Sequence, residues 1–141
     1  MQLTRNWWVL KNIRYRIGFL AWMVFITVLS LISFEGDNSL DINIPHFDKL
    51  VHLSFYFIAS VLGGLFGREI SKGRISKLIV LGISFVGLVL YGIIIEVLQG
   101  YLTTYRSAEL MDVMANSVGA LLGTLLIWAV FYKGSGLKWE N

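Results

Sequence analysis

The stretch Tyr91–Gly123, YGIIIEVLQGYLTTYRSAELMDVMANSVGALLG, does most to limit what this chain can become. It joins two apolar runs, Leu78–Ile95 and Val113–Tyr132, that carry no charge. Each run is long enough to cross a hydrocarbon core of roughly 30 Å as a helix. The turn at Thr103–Thr104 therefore sits at one membrane face. Beside it stand Glu96 and Gln99, three residues apart on the incoming helix, and Asp112 and Asn116, four apart on the outgoing one. These spacings put each pair on one helix face, and the hairpin puts both pairs at similar depth. Ionisable groups in a membrane span cost a few kcal/mol each on insertion scales, so they call for a partner or a function.

The rest of the chain has the same character. Hydrophobic residues make up 56% of its 141 positions and the mean hydropathy is +0.69, as expected of one compact membrane unit. A first span is expected at Ile17–Phe34, which is long for a signal-peptide core and has no small-x-small cleavage site in the following FEGDNS. Glu35–Phe47 contains Gly36, Asn38, Asn43 and the only proline, Pro45, and reads as an acidic loop. A second span is expected at Asp48–Phe66, followed by a basic loop with Arg68, Lys72, Arg74 and Lys77. Ahead of these, Met1–Arg16 interleaves Arg5, Lys11, Arg14 and Arg16 with Trp7, Trp8 and Tyr15, which suits a helix lying at the membrane surface. The expected fold is an all-α membrane protein. Residues 1–16 are its interfacial segment, 17–133 its four-helix transmembrane bundle and 134–141 its tail.

The net charge is +3, and the basic residues lie beside the spans, where an anionic leaflet accounts for them better than nucleic acid does. The absence of cysteine excludes disulfides, thiolate nucleophiles and thiolate metal sites. Ten of the 12 Lys and Arg residues fall in the N-terminus, the Arg68–Lys77 loop and the tail, which predicts that both termini are cytoplasmic. In either orientation, the second helix starts, the third ends and the fourth starts at one face. Asp48, Lys49, His52, Tyr56, Glu96, Gln99, Arg106, Asp112 and Asn116 should gather there. Ala115, Gly119 and Gly123 form a small-residue stripe, and Gly63 and Gly67 repeat its spacing on the second helix, so these five are expected to pack helices closely.

Taken together, D-K-x-x-H-x-x-x-Y at Asp48–Tyr56, E-x-x-Q at Glu96–Gln99, Arg106 and D-x-x-x-N-x-x-G-x-x-x-G at Asp112–Gly123 resemble the VanZ-like membrane proteins, in the family's order and spacing. The segment before Arg106, GYLTTY, lacks the proline or glycine-rich turn often found there in the family. The resemblance implies a bacterial cytoplasmic-membrane protein. The founding member is associated with lowered susceptibility to the glycopeptide teicoplanin, but the family brings no settled reaction.

The residue types suggest a binding site. Lys49 and Arg106 suit a phosphate or carboxylate, Arg by its two-pronged geometry. Glu96, His52 and Asp112 suit amino and hydroxyl groups, so a membrane lipid or lipid-linked envelope precursor is the expected partner. Two other readings stand beside this one. The same residues could bond one another and only lock the bundle, or Glu96, Asp112 and His52 could act as acid–base catalysts on a lipid head group. No G-x-S-x-G motif supplies a nucleophile. His46, Asp48, His52 and Glu96 are zinc-ligand types without a standard signature, so no metal or other cofactor is expected. A subunit of an envelope complex is the structural alternative. The absence of an internal repeat argues against secondary transport.

Overall fold

Run length dictates four helices, and four are present. In a computed structural model, which describes residues 13–32, 46–102, 109–132 and Trp139, they are α1 (Arg14–Leu31), α2 (Phe47–Ser71), α3 (Lys77–Leu102) and α4 (Leu110–Val130). All four are long and apolar enough to cross a membrane, and no strand occurs among the described residues. The chain is a multi-pass membrane protein.

The helices extend past the apolar runs, and two of the extensions, in α1 and α2, bring charged residues into helix. α1 begins at Arg14, three residues before the expected start, because α2 provides a cap: the Tyr15 N–H donates to Glu69 Oε2 at 3.0 Å. A carboxylate at a helix N-terminus also meets the positive end of the helix dipole. α2 continues to Ser71, so Arg68 and Glu69 belong to its last turn rather than to a loop. Charged residues are good helix formers, and the helix stops only where Lys72 and Gly73 turn to positive φ and their N–H groups return to Arg68 and Glu69 carbonyls.

The contacts fix the arrangement. α2 and α4 run parallel in constant register: His52 meets Asn116 and Ser60 meets Thr124, each pair 64 residues apart. They make the closest helix pair. A Cβ at Gly119 would overlap the Leu53 carbonyl, and one at Gly123 would lie 2.5 Å from the Phe57 carbonyl oxygen, so only glycine permits this approach. Ala115, the third member of the expected stripe, is only half-buried. α3 runs antiparallel to α2, and here Gly63 and Gly67 do their packing, against Ser84 and Val80 rather than against α4. Gly64 faces both Leu81 and Ile127. α1 joins α2 through the Trp22 indole, which donates to the Phe55 carbonyl at 2.9 Å, and through stacked Phe19 and Phe66 rings.

The basic end of the bundle is tied by side chains. Lys77, first in α3, donates to the Trp128 and Phe131 carbonyls at the end of α4, at 3.2 and 2.9 Å. Trp139, in the expected tail, is buried. Its indole donates to the Ile75 carbonyl at 2.8 Å, and its own carbonyl accepts from Arg68 Nε at 2.9 Å.

Candidate functional site

The starts of α2 and α4 and the end of α3 meet at the opposite end, as hairpin parity requires. Three turns of helix bring seven of the nine expected site residues into one cluster. At its mouth the Lys49 ammonium touches three carboxylates, Asp48 at 2.7 Å, Glu109 at 2.8 Å and Asp112 at 2.9 Å. An ammonium has three hydrogens, so these contacts use all of them. Lys49 therefore acts first as a counter-ion to its own acids.

Below Lys49, Asp112 faces inward as well as outward. Its second oxygen lies 4.0 Å from His52 Nε2. The other ring nitrogen, Nδ1, is 3.1 Å from Asn116 Oδ1 and 3.6 Å from Glu96 Oε1. An amide oxygen only accepts, so His52 donates from Nδ1 to Asn116, while the 3.6 Å separation from Glu96 is electrostatic contact rather than a hydrogen bond. The imidazole thus stands between two carboxylates from different helices. Side-chain exposure falls from 48% at Glu109 and 44% at Asp48, through 18% at Lys49 and 10% at Asp112, to 6% at His52 and 3% at Glu96. The site is open at the membrane face and sealed within.

Tyr56 lies one helical turn deeper than His52, fully buried, its ring 6.4 Å from that of Tyr91. Its hydroxyl and Asn116 Nδ2 have no hydrogen-bond partner among the described residues. Both can donate, and a buried donor without an acceptor is costly, so the floor of the site has hydrogen-bonding capacity to offer. Gly92 lets them sit together, since a Cβ there would lie 3.2 Å from the Tyr56 ring and 3.3 Å from Asn116.

Gln99 is buried and donates to the Ser30 carbonyl at 2.8 Å, and so ties α1 to the site. Arg106 lies outside the described residues, as does the turn at Thr103–Thr104. His46 is exposed in a left-handed conformation before α2. The groups close enough to share a cation are instead His52, Glu96 and Asp112, and at the mouth Asp48, Glu109 and Asp112; in each, the ligand atoms lie within 4.8 Å of one another. Sequence reasoning missed Glu109. Its signal was its place three residues before Asp112, one turn away on the same helix face.

The charge of the cluster follows directly. Asp48, Glu96, Glu109 and Asp112 face Lys49 and His52, so acids outnumber bases among the described residues. Carboxylates and a neutral imidazole are acceptors for protons, ammonium groups and hydroxyls.

A family model described as VanZ/LLP1 matches residues 4–132. No curated protein and no solved structure matches the chain.

Proposed function

The chain belongs to the VanZ/LLP1 family, and from that premise we propose that it binds the head group of a membrane lipid or lipid-linked envelope precursor in the polar site. The observation that carries this reading is the graded cluster Lys49–Asp112–His52–Glu96, open at the membrane face and ending at the two unmatched donors Tyr56 Oη and Asn116 Nδ2. A network that only locked helices together would have little reason to leave buried donors unmatched. A sugar or head-group oxygen would accept from them, while Asp112 and Glu96 would accept from its amino or hydroxyl groups. Because Lys49 is engaged by three carboxylates, an anionic part of the ligand falls to Arg106 in this reading. By analogy with the family's founding member, binding would lower teicoplanin susceptibility.

Native mass spectrometry of the gently extracted protein tests this. The parent chain should carry a lipid-sized adduct that Arg106→Ala and Asp112→Asn lose while remaining folded. Parent and variants equally bare and equally folded would refute it. In a susceptible bacterial host, expression should raise the teicoplanin concentration needed to stop growth, and Asp112→Asn should not.

A second reading, acid–base catalysis on the same head group, is favoured by the placing of His52 between Asp112 and Glu96. It predicts that Glu96→Gln retains the adduct and yields no altered product. Turnover in that variant would remove Glu96 from the catalytic role.

A further inference from the structure

Away from the polar site, below the contact between Tyr91 and Thr27, α1 and α3 part. The space between them has a volume of about 430 Å³, within the usual range for small-molecule sites. Gly63 and Gly67 of α2 form its floor, Phe19 and Met23 one wall, and Gly87 part of the other. Its lining is almost wholly carbon.

Size and position select the occupant. Val80 and Tyr91 both line the groove, and the eleven helical steps from one to the other rise about 16 Å, half of a roughly 30 Å hydrocarbon core. An apolar groove of this length at the depth of the hydrocarbon core suits one hydrocarbon chain lying along the helices. Its far end is marked by Ser71 and Ile75, and between them in the chain Lys72 and Arg74 are exposed and form no ion pair among the described residues. The neighbouring acid, Glu69, has one oxygen on the α1 N-terminus. Two exposed cations at a membrane surface attract an anionic head group.

We propose that this groove is a second lipid site, holding one acyl chain of an anionic phospholipid from the leaflet at the basic end, with its phosphate at Lys72 and Arg74. The site is independent of the polar cluster, which lies at the other membrane face.

Two glycines make the test clean. A Cβ at Gly87 or at Gly82 would meet nothing within 4 Å, but only Gly87 lines the groove. The full chain in detergent is titrated with phosphatidylglycerol and with phosphatidylcholine of the same acyl composition, and bound lipid is counted by native mass spectrometry. One phosphatidylglycerol per chain should be retained preferentially. Gly87→Leu should lower its occupancy about tenfold, the effect of losing a few buried methylenes, while Gly82→Leu binds as the parent does. A Lys72→Ala, Arg74→Ala double variant should bind both lipids equally. Equal binding by parent, Gly87→Leu and Gly82→Leu would mean general surface lipid only and overturn the proposal. So would a dimer that Gly87→Leu dissociates. Phosphatidylglycerol preference surviving in the double variant would overturn the head-group assignment. None of these variants touches His52 or Asp112, so an adduct at the polar site persists whichever result is obtained.

Discussion

The α2–α4 seam and the α1–α3 seam are both parallel pairs in the same bundle, yet one is closed along its length and the other is open over half of it. On the first, each turn contributes something small or polar: Lys49 to Asp112, His52 to Asn116, Gly119 on Leu53, Gly123 on Phe57, Ser60 to Thr124. Thr124 already donates to the Ala120 carbonyl, so it accepts from Ser60. On the second, Tyr91 reaches Thr27 and the Met23 carbonyl, Gln99 reaches the Ser30 carbonyl, and below them Phe19 and Met23 face Gly87 across a gap. Lipid tails are as apolar as leucine, so no hydrophobic drive closes such a gap in a membrane. Helices close where backbones can touch or side chains can bond, and they stay apart elsewhere.

A seam closed by backbone contact should not tolerate bulk. Gly119→Ala places a methyl group on the Leu53 carbonyl, backbone that cannot rotate aside, and should cost about 3 kcal/mol. Reversible unfolding in bicelles measures this, and a loss under about 1 kcal/mol would show that the seam is looser than its glycines indicate. Lys49→Met comes next, because it leaves three carboxylates together without their cation. With Lys49 partly exposed, solvent screening holds the expected cost to about 2 kcal/mol in the same assay. A stabilised variant would mean that the carboxylates do not depend on the ammonium. On the open seam, Thr27→Val removes one interhelical hydrogen bond, worth about 0.6 kcal/mol by the average for such bonds in membranes. A cost several times larger would make Tyr91–Thr27 the main clasp of α1. The smallest effect is expected from Gly87→Leu, within about 0.5 kcal/mol of the parent, since its side chain enters empty space and leucine favours helix.

The two seams also differ in how far sequence reveals them. Gly119 and Gly123 were legible as a packing stripe, because spacing of four places them on one face whatever the neighbour. The same reasoning grouped Gly63 and Gly67 correctly as packing residues but could not tell that they meet Ser84 and Val80 on α3. Seven of the site residues were legible as one cluster from hairpin parity alone. By residue type Lys49 suits an anionic ligand, and in the structure it is bonded to Asp48, Glu109 and Asp112. The omission of Glu109 has the same origin: an exposed glutamate at a helix start looks ordinary until a lysine sixty residues away is found beside it.

Four spans, the polar end of the bundle and the family can all be read along the chain, because apolar run length and residue order are local properties that insertion in a membrane translates directly into depth. Packing in three dimensions settles which helices are neighbours and which way each turns about its axis, and therefore that His52 stands between Asp112 and Glu96, that Trp139 docks on Ile75, and that a groove remains beside Gly87. Depth is set by the chain's own hydrophobicity, whereas rotation and pairing among equally apolar helices are set by contacts between residues far apart in sequence.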